Sequence, residues 1–424
     1  MILQIFSHEA AALEAGGIEF LKTGIHYEWK NQKEYWNIIH QSLMQETLLV
    51  IITDRLSHLI KKGELIDRYY NPGGIFKHVH ILMTNDDKPE ISPLQRTVGD
   101  AKLTLHNIPS GMSLLAKTLW RPCLLKHWSK QGIALARDIN PQLIRCYGNF
   151  LNGYLGARIH EELNIPLFVS LHTQPDATRA RKEVGFKTQV FYQLSKALES
   201  YTLKSADRVS CVYGSIVDYA RKRGVTAPIT AYNVINNAAL SRKQSYESTG
   251  PLQILYIGRL IPAKNPENLL KGMHGKNAEL TVIGDGVKAE EMKALSSALG
   301  LSDKVRFIPA LTNDELCRTL HTYDLFAGHS QYSELPKTVL EASLCGLPVL
   351  VNKRKGKAVP EYKDGWAMLV DDSPEGYSKG IDFFSDENNR GKFGEMAAQY
   401  ADSHWEPSHA ESVFAEIHRT LINS

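Results

Sequence analysis

The run Leu252-Gln253-Ile254-Leu255-Tyr256-Ile257-Gly258-Arg259-Leu260-Ile261-Pro262-Ala263-Lys264-Asn265 starts as an almost unbroken apolar segment and stops at a glycine. It then continues as a loop with two cations five positions apart. Apolar strands without polar alternation are buried on both faces, which is the condition of a parallel sheet covered by helices. Similar runs follow at 279–283, 304–308, 323–327, 348–351 and 367–370, each separated by a longer amphipathic stretch. The same rhythm precedes it, at 47–53, 78–84, 142–147, 166–171 and 208–213. Strand and helix alternating in this way predict α/β architecture with two doubly wound sheets. The polar stretch 236–251, with Gly250 and Pro251 at its end, is the expected linker. The expected domains are therefore 1–235 and 251–400, with 401–424 as a helical tail and 1–45 as an extension of unassigned role.

Composition narrows the function. The chain has 424 residues with 49 basic and 46 acidic side chains, a net charge of +3. That near balance argues against nucleic acid as a partner, since such proteins concentrate positive charge against phosphates. The five cysteines are odd in number, far apart and form no C-x-x-C pair, so neither a disulfide framework nor a zinc site is expected. No apolar run approaches the ~20 residues that span a bilayer. Met1 to Leu21 lacks the cationic flank and apolar block of a signal peptide, and the expectation is a cytoplasmic enzyme.

Three segments carry chemistry in the second half. Ligands of doubly wound sheets bind beyond the carboxyl ends of the strands. Gly258 and the loop after it are so placed, and Arg259 and Lys264 suit a diphosphate as a bidentate and a point contact; solvated surface cations are the competing reading. Gly284 and Gly286 close a second strand, where they serve either nucleotide approach or a plain tight turn. In Ser333-Glu334-Leu335-Pro336-Lys337-Thr338-Val339-Leu340-Glu341, Pro336 suits the first position of a helix ending at Gly346. The free N–H groups at that helix start form an anion site. Glu341 sits among apolar neighbours, and paired hydroxyls such as those of a ribose would satisfy it, or an i,i+4 ion pair with Lys337. In the first half, His172 follows a buried strand and faces the expected cleft, with Gly148 and Asn149 at the end of a neighbouring strand.

Taken together, these residues resemble glycosyltransferase family 4, the group 1 glycosyltransferases of the GT-B fold. The resemblance covers about 251–372 almost throughout and the first half more loosely. It implies a nucleotide-sugar donor of UDP or GDP type and a glycan or glycolipid acceptor, with retention at the anomeric carbon. Arg259 and Lys264 would hold the diphosphate, Glu341 the ribose, and His172 the donor sugar. Lys62-Gly63 stands where the family shows two glycines, on the acceptor side, and Gly356 to Pro360-Glu361 resembles its later glycine-rich loop. The family spaces its two glutamates by seven residues, whereas Glu334 and Glu341 enclose six. A one-residue deletion gives Glu334 the role of contacting the sugar, and without the gap Ser333 takes that place. Val234 replaces a glycine common after the Asn233 position.

No D-x-D occurs in the chain, so no Asp-held metal and no cofactor are expected, and Arg259 and Lys264 with the helix start would stabilise the leaving diphosphate. The expected catalytic set is His172, Glu334, Arg259 and Lys264. Gly258, Gly284, Gly286, Pro336, Lys337, Thr338 and Glu341 complete the donor site. Polysaccharide or glycolipid synthesis is the implied setting. A noncatalytic sugar-nucleotide-binding relative is the alternative. A nicotinamide oxidoreductase fits poorly, because Ala289 stands where G-x-G-x-x-G needs its last glycine. Residues 101–137 hold six cations and no acid up to Arg137, interleaved with Trp120 and Trp128. They are read as a peripheral membrane contact, as helices covering the sheet, or as a basic path for an anionic acceptor.

Overall fold

The computed structural model describes residues 46–110, 114, 118, 121, 123–176, 186–354 and 358–424, with 186–194 as backbone only. The extension 1–45 and the glycine of the later loop, Gly356, lie outside the described residues. Residues 46–424 form one compact unit.

Two parallel sheets build it. The first contains β1 (Thr47–Ile52), β2 (His78–Met83), β3 (Lys102–Asn107), β4 (Leu143–Tyr147), β5 (Leu167–Leu171), β6 (Arg208–Cys211) and β7 (Ile229–Thr230). Their order is β3-β2-β1-β4-β5-β6-β7. The second contains β8 (Leu252–Ile257), β9 (Ala278–Ile283), β10 (Val305–Ile308), β11 (Leu325–Gly328), β12 (Val349–Asn352) and β13 (Met368–Val370), ordered β10-β9-β8-β11-β12-β13. Chain order reverses between β1 and β4 and again between β8 and β11, the doubly wound pattern with a crevice at each reversal. The apolar runs are strands because both faces are covered. All six residues of β1 are buried, and Leu49, Ile51, Ile144, Val169 and Val209 share one core cluster with Leu155 and Ile159 of the helix Leu151–Leu163. Neighbouring pairs are parallel and in register, such as Val50 opposite Ile81 and Leu255 opposite Thr281.

The expected linker, 236–251, is neither strand nor helix, but it is not loose. Lys243 N–H donates to Cys345 O at 2.7 Å and Tyr246 Oη to Gly346 O at 2.8 Å. The last helices divide their packing. Glu387–His404 lies with the second sheet, and Ala397 and Ala401 belong to the cluster of Val349 and Val351. The chain then breaks at Trp405-Glu406, and Pro407–Ile422 returns to the first sheet, burying Ala410, Phe414, Ile417 and Leu421 against Leu48, Val50 and Phe168.

The basic segment 101–137 resolves into an edge strand, β3, and the helix Cys123–Ile139. Lys126, Lys130 and Arg137 are exposed, while Leu125, Trp128, Ile133 and Ala136 are buried in the core. Trp128 donates Nε1–H to Pro109 O at 3.2 Å. This aromatic faces inward, as a helix covering a sheet requires, so it is not displayed for a lipid surface; Lys117 and Trp120 lie outside the described residues. Among the described residues no helix is long and apolar enough to cross a membrane.

Candidate functional site

Loops at the carboxyl ends of the strands enclose two adjoining cavities. The larger, about 1000 Å³, is lined by Gly258 and Arg259 after β8, Gly284 after β9, and Lys337, Thr338 and Glu341. The smaller, about 330 Å³, is lined by His172 after β5, Asn233, Arg259, Ser333, Glu334 and Pro336. Arg259 and Lys337 border both. Both volumes fall in the ~300–1,000 Å³ range of small-molecule sites.

The helix behind these cavities spans Lys337–Cys345, with Gly346 at φ 84° as its left-handed stop. Pro336 is extended, at ψ 145°, and caps the helix from one place earlier than the sequence suggested. The first helical residues therefore open onto the larger cavity with the positive end of the helix dipole. One turn on, Glu341 is 5% exposed and accepts from Asn313 Nδ2 at 2.8 Å. The i,i+4 ion pair is not formed among the described residues: Lys337 Nζ lies 6.0 Å from the Tyr69 ring centroid. Burial pushes the Glu341 carboxyl up to about 7, against the pull of Lys337 and the Asn313 hydrogen bond. A buried carboxylate of this kind, edging a large cavity, has acceptor capacity left for hydroxyl donors.

Glu334 closes an ion pair with Lys264 at 2.6 Å and accepts from Ser330 Oγ at 2.8 Å. Lys264 borders neither cavity and meets the site through this carboxylate. Ser333 lines the same small cavity, so the loop presents both residues left open by the register. His172 stacks on Tyr147, ring centroids 5.5 Å apart. Desolvation, reinforced by Lys337 and Arg145, drives its pKa down to about 3, so the imidazole is neutral at pH 7. It is suited to hydrogen-bonding a hydroxyl rather than pairing with a charge.

The two glycines after β9 owe their place first to backbone packing. A Cβ on Gly284 would overlap the carbonyl oxygen of Gly258, and one on Gly286 that of Leu260. The loops after β8 and β9 are stitched there by Leu260 N–H to Asp285 O at 2.9 Å. Gly284 also borders the larger cavity, whereas Gly286 is not among the residues lining it.

On the other side, Lys62 and Gly63 line the larger cavity, so they stand with Glu341 and away from the small cavity holding His172. A Cβ on Gly63 would lie 3.4 Å from that of Thr312, so the two walls meet closely here. The expectation that Gly148 and Asn149 line the cleft is corrected. Neither borders either of these two cavities; Asn149 is 6% exposed and donates to Tyr219 Oη at 2.7 Å, which in turn donates to Glu199 at 2.7 Å. A residue just past a strand end has its side chain turned by local backbone, and Gly148, at φ 112°, turns this one inward. Glu361 of the P-E pair also lies outside the cavities, accepting from Gly214 N–H at 2.6 Å. Tyr213, Tyr332 and Asn313 line the cavities without having been singled out from sequence. Tyr213 and Tyr332 sit in loops with no spacing motif of their own, whereas Asn313 opens the helix Asn313–Thr319, which the Thr312-to-Glu315 capping box could have signalled.

Residues 238–401 match the family described as Glycosyl transferases group 1. A curated relative, D-inositol 3-phosphate glycosyltransferase of Rhodococcus jostii, is 24% identical over 245 residues, 52% of this chain and 54% of its own. The enzyme of that name from a Mycobacterium species is 30% identical over 125 residues, 28% of each chain. The chain thus spans about half the length, or less, of these curated relatives. Among solved structures, sucrose-phosphate synthase of Thermosynechococcus elongatus superposes with a TM-score of 0.68 at 16% identity, covering 89% of this chain and 99% of that one. Anabaena HepE, solved in complex with UDP-glucose, gives 0.63 at 14% identity, covering 88% and 99%. The fold is GT-B, with two Rossmann-like sheets.

Proposed function

We propose that this chain, which carries a group 1 glycosyltransferase domain over residues 238–401, moves a sugar from a nucleotide-sugar donor to an acceptor hydroxyl with retention at the anomeric carbon. The observation that carries the reading is Glu341: a buried carboxylate edging a cavity of about 1000 Å³, one turn inside a helix whose positive end opens on the same space beside Arg259. A ribose takes the carboxylate, and a diphosphate takes Arg259 and the helix start. The nucleotide then occupies the larger cavity and its sugar the smaller one.

In that pose, negative charge grows on the diphosphate as its bond to the sugar lengthens. Fixed cations and oriented N–H groups stabilise it without reorganising. The proposed reaction needs no divalent metal, since Arg259 and the helix start supply the charge and Lys264 orients Glu334 through their ion pair. Glu334 holds the sugar ring from one side, and the neutral His172 from the other. The acceptor is a glycan or glycolipid in surface polysaccharide or lipid glycosylation. The D-inositol 3-phosphate glycosyltransferases named above favour a polyol hydroxyl as the attacking group.

A thermal-shift panel of nucleotide sugars tests the reading. A donor at 100 times its Kd stabilises the fold by about 2.7 kcal/mol. One base and one sugar should stand out, and a panel without any shift overturns the proposal.

A further inference from the structure

Arg145 stands inside β4, 2% exposed, and no carboxylate pairs with it among the described residues. Its guanidinium lies between the rings of Tyr147, Phe168 and Phe414, 4.5, 5.2 and 4.7 Å from their centroids. Nη1 lies 3.4 Å from Nε2 of His418, brought by the returning C-terminal helix. The Nε–H has no partner among the described residues. Of the other buried polar atoms in that condition among the described residues, His172 Nε2 and Asn233 Oδ1 belong to residues beside Arg145. All three residues line one narrow pocket of about 10 Å³, beside the cavity that holds His172. That is the volume of a single water, which needs two to four polar partners.

Two arrangements of one water satisfy the three protein atoms, and they differ in where the His172 proton sits. Arg145 Nε can only donate, and Asn233 Oδ1 can only accept. A direct His172 Nε2–H bond to Asn233 would leave the Arg145 donor stranded. A water that accepts from both Arg145 Nε–H and a His172 Nε2–H donates once to Asn233 Oδ1 and keeps its second O–H without an acceptor among the three. A water that accepts from Arg145 Nε–H alone donates one proton to Asn233 Oδ1 and the other to a bare His172 Nε2, so no donor is stranded and the His172 proton sits on Nδ1.

We propose that Arg145 is a positioning residue for His172: through one water shared with Asn233 it fixes the imidazole as the Nδ1–H tautomer. The charge of Arg145 works in the same direction, disfavouring the imidazolium. This deepens the reading of His172 as a contact of the donor sugar, because a ring of fixed tautomer presents one defined donor. The charged and titratable groups facing His172 are Arg145 and Tyr147 on β4, Tyr69, Lys337, Tyr213, Arg259, Tyr332 and Glu334. The Asn233 amide pulls the imidazole pKa up, and burial, Lys337 and Arg145 together outweigh it.

Ring ¹⁵N shifts of the full-length chain, with His172 assigned by the His172→Gln variant, test this without substrate. They therefore judge the relay separately from sugar transfer. Wild type is expected to show Nδ1 protonated, Nε2 bare and no titration above pH 5. In Arg145→Met the imidazole should titrate at least about one pH unit higher, with the tautomers mixed. Arg145→Lys, which keeps the charge and an N–H donor, should restore most of the wild-type signature. An Nε2-protonated ring in the wild type overturns the relay outright, whatever the variants do. So does an Arg145→Met protein that melts cooperatively with His172 unchanged.

Discussion

Replacing Glu341 by glutamine separates what a binding residue does for a ligand from what it does to the fold. The side chain is 5% exposed, and its carboxyl is raised from the ordinary 4.5 to about 7 by burial. A raised folded-state pKa means that the unfolded chain gives up this proton first. Stability therefore falls as pH climbs from 4.5 toward 7, and stays lowered above it. Holding the carboxylate ionised at pH 8 costs the free protein about 3 kcal/mol. Glutamine keeps the shape and the acceptor for Asn313 Nδ2 but carries no charge to desolvate. Glu341→Gln should match wild type near pH 4.5 and melt several degrees higher at pH 8, with the gap opening between those values. Donor binding should move the other way. A hydrogen bond to a charged acceptor contributes about 1.5–3 kcal/mol, so affinity for the nucleotide sugar should fall roughly 10- to 150-fold. Since the ribose does not change during transfer, KM rises while kcat changes little. Thermal melts from pH 4.5 to 8.5, with and without donor, read both effects. A variant less stable than wild type at pH 8, or a gap that does not depend on pH, refutes the picture of an uncompensated carboxylate.

Two further outcomes follow from the loops around it. Glu334→Gln, acting where bonds break, should lower kcat by about 30- to 1,000-fold and raise KM less, while Ser333→Ala stays near wild type; the reverse in steady-state kinetics would restore the ungapped register. Gly284→Ala forces the loops after β8 and β9 apart at the Gly258 carbonyl, and should cost about 1–3 kcal/mol in a denaturant melt and weaken donor binding.

How far the sequence alone leads depends on what each residue is doing. The central strands could be read because burial on both faces leaves continuous apolar runs, and β1, β4, β8 and β12 fall within a residue or two of expectation. Two strands escaped. β3 is an edge strand whose Lys102, Thr104 and His106 interrupt its leucines, and β7 is only two residues long. The loop after β8 and the helix start beside it were readable because glycine, cations and a proline at the helix start each have a local cause. Asn149 was not, since the direction of a side chain beyond a strand end depends on the backbone twist at Gly148. Arg145 shows a signal passed over: a lone cation in the otherwise apolar Leu143–Tyr147 strand. Its partners, Phe414 and His418, lie more than 260 residues away, and no local pattern connects them.

The most direct test of the account is release of nucleoside diphosphate from the stabilising nucleotide sugar, measured with excess chelator present. With a polyol or glycan acceptor, the wild-type chain should release diphosphate at the same rate with and without chelator, and Lys264→Ala should be slowed by about 30-fold or more. No release from any nucleotide sugar, or release that appears only when Mg²⁺ or Mn²⁺ is restored, would contradict it.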